Sequence, residues 1–398
     1  MFKKICIKDK QAEGYKLDVA FLIDSMLFYG KVVLLVHRQE MIILLKFFGE
    51  DLLNELIAIG RIEVKFRENI LGSMIFPDGK YSVNTFSSQD ENIETILYQA
   101  HRELHNNSGK NQKFASEFSR KISSYSYPDT VRENIIADFN NKDYLQRALP
   151  VYLNSIVPEF VLPEKVEIEI IKDGEFAGYD AYSLNSNIDM TELNRVHKQH
   201  NPDAGYQIDY SGFLLSIAES KGDIHITSEL DSEIVTSELY SKFIALELES
   251  IIAQRTKSEN ELNLFSTYVL QDCTSLGTAF VNGILSGRDL LRILEKSDQF
   301  REWLEHIPED NNLLGEYHNA VMKKEFSAKM PTRVVRFVLF QAASLGLGLL
   351  GTGELAVAAA AGGAAIGAAD NFLLDKILNR EWKPSQFIDK TLKPKIKV

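Results

Sequence analysis

The chain is poor in cysteine. It has two in 398 residues, Cys6 and Cys273, and no CxxC pair. That excludes a disulfide framework and a paired-cysteine metal site, and it fits a reducing cytosol. A basic excess is missing too: the formal net charge is −12, whereas a general nucleic-acid binder needs a basic face. The N-terminal MFKKICIKDKQAEGYK carries lysines but no apolar run, so no secretory signal is expected there and the protein is expected in the cytoplasm. The phosphate-loop and GxSxG patterns are lacking, as is any internal repeat. With 45% apolar and 25% charged residues, the chain is neither disordered nor collagen-like, and its length allows two or three domains.

One stretch stands out. Phe337 to Ala369 holds a single charge, Glu354, and is crowded with small residues. It reads as two helical arms joined near Gly351–Glu354. The first spans 337–353, about 25 Å as a helix, and the second 355–369, about 22 Å. A bilayer core is about 30 Å thick and asks for about 20 residues, so both arms are short for spanning. Phe337 and Phe340 give the first arm its bulk. Gly346, Gly348 and Gly351 on one arm, with Gly362, Gly363 and Gly367 on the other, allow close helix approach, as in membranes or tight oligomers. Arg333 and Arg336 precede the hairpin and Lys376, Arg380 and Lys383 follow it, a basic flank that would keep both ends on one side of a membrane. From Lys376 onward seven basic residues face two acids. That tail suits an anionic surface or a solvated chain end equally well. The hairpin itself is expected either buried in the protein or at a subunit interface, or engaged with a membrane.

Taken in order, DVAFLIDSMLFYG reads as a helix ending near Gly30, and KVVLLV as a buried strand. EMIILLKFFGEDLLNELIAIGR is helical, broken at Gly49 and stopped at Gly60, and IEVKF (62–66) is a strand neighbouring KVVLLV in one sheet. Phe76-Pro77-Asp78-Gly79-Lys80 is a turn. DENIETILYQAHRELH is a helix ended by NNSGKN, and two more helices are expected over 113–150 with a break at Tyr127-Pro128-Asp129. Pro150, Pro158 and Pro163 mark a boundary. VEIEII and YDAYSL pair as strands across DGEFAG, and the remainder is helical. Trp303 is expected in the helical core and Trp382 to dock the tail.

The fold expected is α+β and predominantly α-helical. An N-terminal α/β unit (1–88), a helical connection (89–150), a mixed segment (151–230) and a helical domain (231–331) precede the hairpin (332–380) and the basic tail (381–398).

Few residues suggest chemistry. His101 and His105 stand four apart on one helix face with Glu94 seven residues earlier, the skeleton of a metal site without the HExxH order. Histidines at a helix end are also favoured there by the dipole. His197, His200 and Asp203 form a weaker set. Asp209, Glu219 and Lys221 imitate the D…ExK pattern of metal-dependent nucleases, which requires ExK on a strand. Leu214, Leu215 and Ala218 have helical spacing instead, with Ser211 as a possible cap. Asp24, Glu40 and the acids at 90–94 would have to converge to resemble a PIN-like nuclease, and no spacing requires it.

The stretch DSMLFYGKVVLLVHRQEMIILLKFFGEDLLNELIAIGRIEV, with ILSGRDLLRILEKSDQFREWLE, LLGEYHNAV, MPTRVVRF, NFLLDKIL and WKPSQF, resembles a family of bacterial proteins for which no function or catalytic residue can be named. The resemblance implies a bacterial cytosolic context.

Taken together, these features lead to the expectation of a non-enzymatic effector or interaction protein whose glycine-rich hairpin self-associates and engages the inner membrane, in a setting such as stress or phage defence. The alternatives are a soluble metal-dependent nuclease with the hairpin as core or interface, and a soluble oligomeric scaffold. Homo-oligomers, an anionic inner membrane and an unknown protein partner are the expected partners. No cofactor is expected, unless a divalent metal binds at Glu94, His101 and His105.

Overall fold

The structure, a computed structural model, describes residues 2–8, 11–12, 16–87, 92–308, 311–322 and 382–397. The apolar stretch 337–369 lies outside them, and so do Arg333, Arg336, Lys376 and Arg380 of its basic flank. The fold is mixed α/β and mostly helical, with one parallel and one antiparallel sheet.

Strand β1 (Lys4–Ile7) is followed by a short ribbon, β2 (Gln11–Ala12) and β3 (Lys16–Leu17). Helix α1 (Val19–Phe28) starts where the Asp18 side chain accepts from Phe21 N, and it leads into β4 (Lys31–Val36). Helix α2 (Arg38–Ala58) bends at Gly49, whose φ of 68° breaks the helical run. A residue with a Cβ is strained there, and this explains the glycine. β5 (Ile62–Arg67) lies beside β4 in parallel, with Val32 opposite Ile62 and Leu34 opposite Val64. β6 (Asn69–Ile75) and β7 (Tyr81–Ser87) form a hairpin across the Pro77–Gly79 turn.

Helix α3 (Ile93–Arg102) is capped by Asn92. NNSGKN does more than end it: Asn107 caps a new helix, α4 (Ser108–Ser119). The three-residue strand β8 (Ser123–Tyr125) follows, then α5 (Asp129–Phe139) and α6 (Lys142–Ile156). Pro150 lies inside α6 and not at a boundary. The N–H it lacks is offset by burial of Leu149, Tyr152 and Leu153 around it.

β9 (Ile168–Phe176) and β10 (Tyr179–Ser186) turn at Ala177 and Gly178, both with positive φ, as a two-residue hairpin of primed type requires. Then come α7 (Met190–His200), α8 (Tyr210–Leu230) and the short strand β11 (Glu233–Val235). The helices that follow are α9 (Glu238–Val269), kinked at Leu248, α10 (Leu276–Val281), α11 (Gly287–Lys296), α12 (Asp298–Glu305) and α13 (Leu313–Met322).

The parallel sheet runs β11-β1-β4-β5-β8, so it draws strands from well beyond the first 88 residues. Side chains alternate across it with period two. Ile5, Ile7, Val32, Leu34, Ile62 and Val64 face the larger core, under α1–α4 and α9–α13. Cys6, Val33, Leu35 and Ile234 face the second core, shared with α5–α8. The antiparallel sheet runs β6-β7-β10-β9, and α8 lies between the two sheets, touching β1 and β11 as well as β6 and β7.

The segment 382–397 corrects the expectation of a solvated tail. Short helical turns at Pro384–Phe387 and Lys393–Ile396 flank a wider one at Ile388–Leu392. Phe387, Ile388, Leu392 and Ile396 are at most 3% exposed and belong to the larger core. Lys390, Lys393 and Lys395 stand between them and Lys397 follows, so charge density concealed a buried face. Trp303 is buried in the same core and Trp382 packs against it.

Candidate functional site

The strand order itself points to a place. From β1 the sheet grows through β4, β5 and β8, and β11 then returns to the other side of β1. Ligands of open parallel sheets gather at the carboxyl ends of strands, at such a reversal. Here Lys8 follows β1 and Thr236 follows β11, and both meet one carboxylate on α8. Lys8 Nζ lies 2.6 Å from Asp223 Oδ1, and the Thr236 hydroxyl donates to Asp223 Oδ2. Lys8 also pairs with Glu219. Glu219 and Asp223 are four apart, hence on one face of α8.

Burial gives this group its character. The side chains of Lys8 and Asp223 are 1% and 0% exposed, while that of Glu219 is 14% exposed. Desolvation pushes the Asp223 carboxyl up to about 6, against the downward pull of Lys8. The hydroxyl of Tyr127 is buried nearby and has no hydrogen-bond partner among the described residues, and burial holds its pKa above the usual phenol range. Gly222 permits this proximity, since a Cβ there would stand 2.8 Å from Leu71 Cδ1 and 3.0 Å from the Tyr127 ring and hydroxyl. The reversal is thus filled by protein groups. It clamps α8 to two strands, and Glu219 is more accessible than Lys8 or Asp223.

The D…ExK residues point in different directions. The segment is a helix, as its spacing predicts, with Asp209 in place of Ser211 as the cap, accepting from Ser211 N at 2.7 Å. Glu219 turns to Lys8, and Lys221 turns to Asp138 at 3.0 Å and to Glu247. Desolvation, with Glu247 adding to it, lifts Asp138 to about 6.

The acids near the N-terminal strands also serve separate ends. Asp24 accepts from Gly277 N at 2.9 Å and is pushed up to about 6 by burial. It lines a cavity of about 360 Å³ with Arg255, Asn263, Ser266 and Cys273. Glu40 accepts from His37 N at the start of α2. Glu94 accepts from Gln112 at 2.8 Å, and Asp90 and Glu91 lie outside the described residues.

His101 and His105 do come together, with ring centroids 4.4 Å apart. His101 is 1% exposed, with Nε2 2.6 Å from Glu50 Oε1 and Nδ1 2.7 Å from Asn111 Oδ1. Glu50, just past the α2 bend, takes the position that the sequence assigned to Glu94. No local spacing reveals it, because it is 51 residues from His101. His197 is buried, with Nδ1 3.3 Å from Asn201 Nδ2, and His200 Nδ1 lies 3.1 Å from Val196 O, both within the reach of α7 itself.

On the other side of the molecule, the described chain breaks off after α13 and resumes beside it. Lys383 Nζ donates to Val321 O at 2.7 Å. Phe387 stacks on Phe300 with centroids 5.2 Å apart, Thr274 N donates to Ile396 O at 3.0 Å, and Lys395 pairs with Asp289 at 3.0 Å. Among the described residues no helix is long and apolar enough to cross a membrane. Comparison with protein-family models, curated proteins and solved structures finds no match to this chain.

Proposed function

We propose that the protein is a non-enzymatic bacterial effector or interaction protein. Its folded body carries the Gly/Ala-rich stretch 337–369, which self-associates through its small residues and, when released, engages the inner membrane. Stress or phage defence is the kind of setting that uses such a device. One observation supports this reading above others. The described chain on either side of residues 323–381 meets at one patch of the body, where Lys383 Nζ donates to Val321 O, and the segment that follows belongs to the larger core. Ends held together suit a loop-out of even crossing number, with both basic flanks on one side. Gly346, Gly348, Gly351, Gly362, Gly363 and Gly367 suit close contact between arms or between copies.

The test replaces residues 323–381 by a short Gly/Ser linker between Val321-Met322 and Trp382. Because the ends are already adjacent, the body should fold, judged by circular dichroism and a cooperative melt. Wild type should distribute to the membrane fraction or sediment as an oligomer, and the linker variant should be monomeric and in the supernatant. A folded linker variant that fractionates and sediments like wild type would overturn the proposal.

A further inference from the structure

We propose that Glu50, His101 and His105 form a binding site for a divalent transition ion of the zinc class, with Asn111 as the residue that orients it. The inference is independent of the hairpin. It starts from proton bookkeeping around one buried ring. The Asn111 amide has its orientation fixed, because Nδ2 donates to His105 O at 3.1 Å. Its Oδ1 therefore faces His101 Nδ1 at 2.7 Å, and an oxygen there can only accept, so Nδ1 carries the hydrogen. In a neutral imidazole the other nitrogen then presents a lone pair. That lone pair points at a carboxylate, Glu50 Oε1, 2.6 Å away. Two acceptors at this separation need a cation between them, either a proton or a metal ion.

The surroundings favour the metal. A ligating histidine commonly donates its second ring N–H to an oxygen that fixes tautomer and ring angle. Asn111, itself 1% exposed, does this for His101. The ring is further held by stacking on Phe114, with centroids 4.4 Å apart and planes 19° apart. The third ligand is at hand, since one ligand atom from each of Glu50, His101 and His105 lies within 4.8 Å of the others. Ligands about 2.0–2.2 Å from a common ion are roughly 3–4 Å from one another, so small movements suffice. His105 is exposed and the Glu50 side chain is 44% exposed, and these two can close on the fixed His101. Two imidazoles and one carboxylate suit zinc, cobalt or nickel, whereas calcium and magnesium prefer all-oxygen sets. A fourth position, on the side where Glu50 and His105 are open to solvent, is left for water. The ion would tie α2 to α3 through Glu50 and His101, with His105 contributed by the connection after α3 and α4 bound in by Asn111.

The experiment uses the full-length, tag-free protein stripped with a chelator and dialysed against buffered Zn²⁺. Bound metal is measured by mass spectrometry, and Co²⁺ substitution is followed by visible absorption. Wild type should take up one ion per chain at this site and gain a few degrees in melting temperature. His105→Ala, at an exposed position where folding is not at risk, should lose that ion and the stabilisation, and Glu50→Gln should weaken binding at least tenfold. Asn111→Ala should weaken it by about 10–100-fold. Glu94→Gln should bind as wild type. Absence of uptake by wild type, or uptake undiminished in His105→Ala, would show that Glu50 and His101 form only an ion pair and would overturn the proposal.

Discussion

The Lys8–Asp223 clamp makes an asymmetric prediction. Lys8→Met removes the cation and leaves Glu219 and Asp223 facing each other, one of them fully buried. At an effective dielectric of 20, each close pair contributes about 4 kcal/mol of attraction against desolvation. Removing one partner of a buried pair typically costs about 3–5 kcal/mol. Asp223→Asn is milder. Lys8 keeps Glu219, the amide oxygen still accepts from Lys8, and the new N–H₂ can donate to the Thr236 hydroxyl. A loss of about 1–2 kcal/mol is expected. The two variants should therefore differ by about 2 kcal/mol at pH 8.

Acidity should change the comparison. The Asp223 carboxyl sits at about 6 in the folded protein, above its ordinary value. Stability contributed by its neutral form is present at low pH and lost as pH rises through about 6. Without Lys8 the carboxyl is pushed further up. Lowering the pH from about 8 to about 5.5 then neutralises Asp223 and removes much of the repulsion. The deficit of Lys8→Met relative to wild type should shrink over that range, while that of Asp223→Asn, which lacks this carboxylate, should not follow it. Urea unfolding followed by circular dichroism at both pH values measures this. An Asp223→Asn cost equal to or above that of Lys8→Met, or a Lys8→Met deficit indifferent to pH, would refute the account.

Two further outcomes follow from packing, beside the linker and metal experiments above. Gly222→Ala should cost about 1–3 kcal/mol, because its methyl meets Leu71 and Tyr127 between two sheets that cannot both retreat, and a urea midpoint shift checks it. Leu392→Ala should cost about 2–5 kcal/mol, since Leu392 is 0% exposed in the larger core. A midpoint within error of wild type would mean that the 382–397 segment is not a core element.

What could be read in the sequence depended on how local the signal was. KVVLLV is a continuous apolar run and IEVKF an alternating one, each preceded by a glycine, Gly30 or Gly60, that stops the helix before it, so β4, β5 and the broken α2 between them were legible. SSY and EIV are too short to show a period, so β8 and β11 were not, and without β11 the strand reversal has no location. Lys8 and Asp223 are 215 residues apart, and nothing near either one announces the other. His101 and His105 were visible because four residues make one helical turn. Glu50 comes from another helix, brought near by the bend at Gly49. The tail misled for a physical reason: helical spacing in Phe387, Ile388, Leu392 and Ile396 was outweighed by the lysines between them.

The position of that tail also sets an order of events during synthesis. Phe387, Ile388, Leu392 and Ile396 complete the larger core, yet they leave the ribosome after residues 323–381 have emerged. Translation proceeds at about 5–20 residues per second, so for some seconds the most apolar stretch of the chain is outside the ribosome while the body beside it still lacks its final layer. For that interval the nascent body exposes the apolar surface that awaits the tail, and the seating of Phe387 on Phe300 is what covers it.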